Sequence, residues 1–213
     1  MTFDIDWWWE VQKEIELQFN FSRRREDVST SLSSHYFINH KLMDFLLEGK
    51  DLAIIGAGIT PLVDIPRNIL LAADGAVKAC FERDIVPDLI ITDMDGYMSD
   101  IKWAYNNGSK IIIHVHGDNM TRFAEYSSVI NPVCVTSAYP SPFTSCWGGF
   151  TDGDRAVMMA LALNCNSVKL VGFDFDKVGQ YSGEYSSQKL EKLKWAKKII
   201  NACMKRSQKV SFL

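Results

Sequence analysis

No Cys-x-x-Cys pair occurs in this sequence. Its five cysteines (Cys80, Cys134, Cys146, Cys165 and Cys203) are scattered and odd in number. That pattern argues against a disulfide frame and against a cysteine zinc cluster, and reads as free thiols packed in a reducing cytoplasm. Only Cys146 lies beside a loop that could hold a site, and with no histidine near it in sequence it reads as a packing residue and not a nucleophile. Long hydrophobic runs are also missing, since no stretch approaches the roughly 20 apolar residues that span a bilayer. The first ten residues carry Asp4, Asp6 and Glu10, unlike a secretory signal. Neither sign of charge dominates: the net charge of −3 argues against a dedicated nucleic-acid binder. There is no internal repeat and no low-complexity linker. What remains is a chain of 213 residues, 47% hydrophobic and 23% charged, enough for one substantial globular domain. The expectation is a cytoplasmic protein acting on small molecules, with no nucleic-acid or membrane partner.

Two textures divide the chain into an N-terminal helical segment, 1–50, and an α/β domain, 51–213. Trp8, Val11, Ile15 and Phe19 recur at helical spacing, so a helix is expected over 6–22. Trp7, Trp8 and Trp9 cannot share one face of it, so at least one must be exposed or meet another segment. The run Arg23-Arg24-Arg25-Glu26-Asp27 reads as a charged, solvated connection, followed by a second helical stretch over 27–48 that ends near Gly49. From Asp51 onward, short apolar runs alternate with Gly, Pro and Asp. Strands are expected at 52–55, 69–72, 89–92, 111–115, 133–136 and 168–171, with helices near 61–66, 75–84, 98–107, 120–127, 152–164 and 187–205. Such alternation indicates an α/β fold with a mainly parallel, Rossmann-like sheet and flanking helices. Ligands of such sheets sit beyond the carboxyl ends of the strands, where the polar clusters of this sequence fall.

Gly56-Ala57-Gly58 follows the first strand. Glycines there suit either a tight turn or backbone amides that approach a phosphate. The dinucleotide fingerprint needs Gly or Ala at position 61 and this chain has Pro61, which disfavours a hydride-transfer enzyme. The densest cluster is Asp74, Asp88, Asp93 and Asp95. If the 89–92 strand continued, Asp93 and Asp95 would project to one side. Clustered acids repel one another unless a cation or a shared proton relieves them, and magnesium commonly takes one or two carboxylates plus substrate phosphates. Helix capping accounts for one of these acids, not for all four. Ile111–Val115 runs into His116, Gly117, Asp118 and Asn119; His114 reads as a satisfied core residue and His116 as better placed for a ligand. Zinc would need further ligands that are not evident. Gly148, Gly149, Phe150, Thr151, Asp152, Gly153, Asp154 and Arg155 open the 152–164 helix. Thr151 suits an N-cap, Asp152 and Asp154 the positive helix end, and Arg155 the charge of a phosphoryl group in transfer. Trp147 and Phe150 fit either a stack on a flat ring or the core. Asp174, after the 168–171 strand, fits either a ligand or a turn cap. The C-terminal lysines read as the outer face of an amphipathic helix, from which one or two, Lys192 among them, can reach a phosphate.

Taken in order, these motifs resemble the archaeal 6-hydroxymethyl-7,8-dihydropterin pyrophosphokinase family, itself distantly similar to thiamine pyrophosphokinases. The matching pieces are Gly56–Gly58, Ala73–Ala76, Pro87-Asp88 with Thr92–Gly96, His114–Asn119, Gly148–Ala156 and Gly172–Phe175. Tyr181-Ser182, the lysine-rich helix and the tryptophan-rich start extend the resemblance over essentially the whole chain. It implies that ATP gives its β,γ-diphosphoryl unit to the hydroxymethyl group of the reduced pterin and releases AMP, a step in making folate or methanopterin. It further implies magnesium held by Asp93 and Asp95, with Asp88 and Asp74 completing or supporting the acid cluster. Asp118, Asp152, Asp154, Arg155 and His116 would line the reaction site, with Gly56, Gly58, Gly75, Asn119, Gly149, Thr151, Asp174 and Lys192 around nucleotide and pterin. Asp118 and Asp154 are equally placed to orient the acceptor hydroxyl, and a homodimer is allowed. After Gly58 the family tends to carry Pro-Ser-Leu where this chain has Ile59-Thr60-Pro61. The sequence ends in a basic helix in place of the thiamine enzymes' C-terminal β-sandwich, which points to the pterin branch. Two rivals are a haloacid-dehalogenase-type phosphatase, whose nucleophile strand Ile91–Gly96 resembles, and a non-catalytic glycan-related module.

Overall fold

A computed structural model describes residues 4–35, 40–66 and 68–213. The strands are β1 (Asp51–Ile55), β2 (Ile69–Ala73), β3 (Leu89–Thr92), β4 (Lys110–Val115), β5 (Cys134–Ser137), β6 (Ser167–Val171) and β7 (Val210–Phe212). Among the described residues they form one seven-stranded sheet in the order β5-β4-β3-β2-β1-β6-β7, and every pairing is parallel. The first six match the sequence expectation to within a residue at either end. The seventh was not anticipated, because three residues at a basic chain end carry too little pattern.

Strand alternation divides the core in two. Leu52, Ile54, Leu71, Leu89, Ile91 and Ile112 face one side, while Ala53, Ile55, Leu70, Ile90, Ile111 and Ile113 face the other, as a two-residue period requires. The first face is covered by α1 (Trp8–Phe19), α3 (His40–Leu47), α7 (Asp152–Ala162) and α8 (Ser187–Arg206). The second is covered by α4 (Ala76–Phe81), α5 (Met98–Asn106) and α6 (Met120–Tyr126). Burial on both faces accounts for the near-continuous apolar runs of the strands.

The N-terminal region departs from expectation. The arginine run is exposed, as expected, but it is helical and not a turn: Ser22 takes an extended N-cap conformation and Arg23 opens α2 (Arg23–Ser31). Arg23 pairs with Asp27 at 2.9 Å and stacks 3.3 Å above the Tyr139 ring. Arg25 donates to the Gly117 carbonyl at 2.6 Å. The expected helix from 27 left out the first four residues of α2, whose contacts are polar and not apolar. The 27–48 helix is in fact divided: α2 gives way to a 3-10 turn at Leu32–His35 and helix resumes as α3, while the expectation for 36–39 lies outside the described residues. No helix forms over 61–66, where Pro61 and Pro66 each lack the N–H a helix interior needs. The tryptophans divide as their spacing demands. Trp8 is buried, Trp7 meets its edge, and Trp9 stacks on Tyr139 with centroids 6.1 Å apart.

Candidate active site

Strand order reverses between β1 and β6, and there the fold leaves a crevice at the carboxyl ends of the strands. A cavity of about 250 Å³ opens at this edge, reached by the exits of β1, β2, β3, β4 and β6 and by the N-terminus of α7. The turn Gly56–Gly58 lies against the loop after β6. The Gly56 amide donates to the Val171 carbonyl and the Gly58 amide to the Gly172 carbonyl, at 2.8 and 3.0 Å. Those two N–H groups are therefore already used. Glycine is required because the β6 loop packs directly on them.

Asp74, Asp93 and Asp95 each bring a carboxylate oxygen to within 4.8 Å of the others. Strand alternation is not the reason. β3 stops at Thr92, and Met94 turns into the left-handed region at φ 67°, a conformation that costs free energy in a non-glycine residue and is held by its surroundings. Those surroundings are visible: Met94 is buried and its amide donates to the Thr92 hydroxyl at 2.7 Å. That hydroxyl in turn donates to Asp74, and the Asp95 amide donates to Asp93 at 3.1 Å. Asp74 also has positive φ, 36°. A Cβ on Gly96 would lie 2.4 Å from the Asp74 carboxylate, so only glycine lets the two strand exits close on each other.

The three carboxylates titrate differently. Burial, then the charges of Asp93 and Asp95, push Asp74 well above the usual range. Burial and Asp93 raise Asp95 as well. Burial also acts to raise Asp93, but the hydrogen bond and charge of His116 outweigh it and bring Asp93 down to about 2; Nε2 of His116 stands 3.5 Å from Asp93 Oδ2. An all-oxygen set under mutual repulsion fits a hard divalent cation such as magnesium.

Arg155 faces this cluster from α7. It pairs with Asp152 at 3.3 Å and donates to the Phe150 carbonyl. Asp152 is pushed well above the usual range by burial and by Asp93, with Arg155 acting the other way. Gly149, at φ 96°, brings the loop onto the Arg155 backbone, where a Cβ would come within 2.3 Å. From α8, Lys189 and Lys192 line the same cavity, with Lys192 5.7 Å above the Phe150 ring.

Of the residues singled out in the sequence, Gly56, Gly58, Asp74, Gly75, Asp93, Asp95, His116, Gly149, Thr151, Asp152, Arg155, Asp174 and Lys192 all line this cavity. Four do not. Asp88 precedes β3 and accepts the Leu70 amide at 2.8 Å, a strand length or roughly 15 Å from the acid cluster, so it cannot join a shared metal site. Asp118 is exposed and paired with Arg25 at 3.1 Å. Asp154 is fully buried, forms a capping box with Thr151, and takes the Phe150 and Thr151 amides. Asn119 braces the site from beneath: it donates to the carbonyls of Asp93 and His114 at 2.8 and 2.7 Å and accepts the His116 amide. His114 is buried and bonded to Thr136 at 3.0 Å, as expected of a core histidine, though it also borders the cavity.

The model of the MptE-like family, 6-hydroxymethylpterin diphosphokinase MptE-like, matches residues 34–179. The chain belongs to this diphosphokinase family. Three curated proteins named 6-hydroxymethyl-7,8-dihydropterin pyrophosphokinase are similar to it along nearly their whole length. The protein of Methanothermobacter thermautotrophicus is 32% identical over 93% of this chain and 94% of its own. That of Methanocaldococcus jannaschii is 30% identical over 91% and 93%, and that of Pyrococcus furiosus 30% over 89% and 88%. Among solved structures, the Maf glycosyltransferase of Magnetospirillum magneticum AMB-1 aligns with a TM-score of 0.42 at 14% identity, over 73% of this chain and 30% of that one. Among the described residues, no helix of this MptE-like chain is long and apolar enough to cross a membrane.

Sequence patterns left several lining residues of this family member unmarked. Gln12, Ile15, Glu16, Phe21 and Glu26, from α1, α2 and the turn between them, line the cavity, as does Lys189; Phe173, Phe175 and Ser182, which fall within motifs the sequence did show, line it too. No local motif marks the first group, since only tertiary packing brings α1 and α2 over the strand exits. Lys189 was hidden within a generally basic helix.

Proposed function

We propose that the protein transfers the β,γ-diphosphoryl group of ATP to the hydroxymethyl oxygen of 6-hydroxymethyl-7,8-dihydropterin, with release of AMP, as a step in folate or methanopterin synthesis in the cytoplasm. The observation that carries this reading is the convergence of Asp74, Asp93 and Asp95 in one cavity with Arg155, Lys189 and Lys192, in a chain of this family. Diphosphoryl transfer asks mainly for charge neutralisation and alignment, and that is what these residues offer. Asp74, Asp93 and Asp95 would hold magnesium, which when bound neutralises polyphosphate charge. Arg155 and the two lysines supply cationic contacts to the phosphates. His116 keeps Asp93 ionised and oriented. Asp118 and Asp154 are engaged elsewhere, so we assign the acceptor's proton to Asp152, which lines the cavity outside the three-acid cluster. The hydroxymethyl oxygen bonds to the β-phosphorus, the bond from that phosphorus to the α-phosphate bridging oxygen breaks, and the proton passes to Asp152.

The test is turnover with ATP, magnesium and the reduced hydroxymethylpterin, with AMP followed against thiamine or water as acceptor. AMP formed only with the pterin is the expected result. ADP, inorganic phosphate alone, or a phosphorylated Asp93 would overturn the reading.

A further inference from the structure

Glu26 is 9% exposed, lines the cavity, and belongs to α2, not to any of the strand-end loops. Its Oε1 accepts the Gly117 amide at 2.9 Å. Its Oε2 is buried with no hydrogen-bond partner. A buried carboxylate oxygen left unpaired is unfavourable, so its presence at a cavity wall calls for a ligand that supplies a donor. Phe21 and Phe150 line the same cavity, with ring centroids 6.1 Å apart, an apolar flank suited to a flat heterocycle.

We propose that Glu26 is the residue that recognises the 2-amino-4-oxopyrimidine edge of the pterin, its carboxylate accepting the N3–H and one hydrogen of the 2-amino group. This rests on the diphosphotransfer reading and adds to it the determinant of acceptor specificity. The chemistry is selective. A carboxylate presents two acceptors side by side, and the pterin edge presents two adjacent donors. Adenine offers one donor next to one acceptor and leaves a carboxylate oxygen facing a lone pair, so ATP cannot satisfy the same contact. Burial pushes the Glu26 pKa up while the Gly117 amide acts against it; two ligand donors would hold the group ionised. The placement also suits the reaction. Glu26 is tied to Gly117, and the neighbouring His116 is tied to Asp93, so the specificity carboxylate and the acid cluster are anchored to adjacent residues of one strand exit.

The experiment compares 6-hydroxymethylpterin with its 2-oxo counterpart, 6-hydroxymethyllumazine, by fluorescence titration of the intact protein and of Glu26→Gln. Glutamine keeps an acceptor for Gly117 but turns the other atom into a donor, which matches the 2-oxo group. The expected result is a loss of affinity for the pterin of roughly ten- to a hundredfold, a preference shifted toward the lumazine, and ATP affinity unchanged. Equal pteridine affinities in both proteins would overturn the assignment, as would a loss shared with ATP or one confined to GTP, whose guanine carries the same donor pair. Should Glu26→Gln fail to fold, Glu26→Asp withdraws the same charge by one methylene and must weaken the pterin alone; an unchanged Kd overturns the proposal. The two readings fail separately. Normal AMP release with an unaffected variant removes only the role of Glu26, whereas a native protein that neither binds the pterin nor releases AMP removes both.

Discussion

Asp74, Asp93 and Asp95 respond unequally to a shared setting because His116 stands against Asp93 and not against the other two. His116 stabilises the Asp93 anion, and that anion in turn raises Asp95 and Asp74. A carboxylate whose folded pKa lies above its unfolded value stabilises the fold at low pH and loses that contribution as pH rises through the folded pKa. Without metal, Asp95 is therefore a local cost to the fold once pH has risen through its folded pKa. Asp95→Asn should leave the metal-free melting temperature unchanged or raised, while AMP release falls by about a hundredfold or more. Calorimetry in chelator-containing buffer checks the first half, and a drop of several degrees would mean that the carboxylate supports the fold. The sequence displayed these three acids but not the reason they meet. Alternation along a strand suggested a common side for Asp93 and Asp95, whereas the left-handed Met94 and the missing Cβ of Gly96, whose place the Asp74 carboxylate takes, bring the three together. Backbone conformation of that kind is set by surrounding contacts and leaves no periodic trace.

Helix α7 shows how one short segment can be read correctly and still mislead about roles. Its start at Thr151 was legible from cap chemistry, and the capping box is present. The same chemistry occupies Asp154, whose oxygens are taken by the Phe150 and Thr151 amides and the Thr151 hydroxyl. Burial raises Asp154 to about 6, with Arg155 and those amides acting against the rise. Its contribution to stability should therefore be present in full below about pH 4 and be lost as pH rises toward 6. Relative to Asp154→Asn, the native protein should lose stability across that interval, by at most about 1.4 kcal/mol per pH unit, and hold a constant difference above it. Urea titrations at several pH values measure this, and a flat difference would refute it. Thr151→Ala should cost about 1 kcal/mol, the ordinary value of an N-cap, and more above pH 6 than below pH 4, because the lost hydroxyl donates to the ionised Asp154 carboxylate. Helix α2 is the converse case: polar pairs hold Arg23 and Arg25, so a search for apolar spacing left out its first turn, which carries Glu26.

On the scale of the molecule, the parallel sheet was legible because burial on both faces writes continuous apolar strands between turn residues, and the crevice followed from the topology. The N-terminal 50 residues read as a separate texture, yet Trp8, Ile15, Met43 and Leu47 share one buried cluster with β1, β3, α7 and α8. Trp8 is fully buried and sits close to Gly148 and Met158, the latter on α7. If this cluster is one cooperative core, truncating Trp8 must weaken the sheet and not only the helix that carries it. Trp8→Ala should then lower global stability by about 3–5 kcal/mol and shift a single urea transition without splitting it. Amide exchange locates the loss: protection of β1 and α7 should fall in step with that of α1. An early transition confined to α1, with β1 and α7 as protected as before, would show that the N-terminal segment folds apart from the sheet. The same helices form the wall bearing Glu16, Phe21 and Glu26, so Trp8→Ala should also raise the Kd for the pterin more than that for ATP, because packing that holds the core here also holds the acceptor side of the cavity.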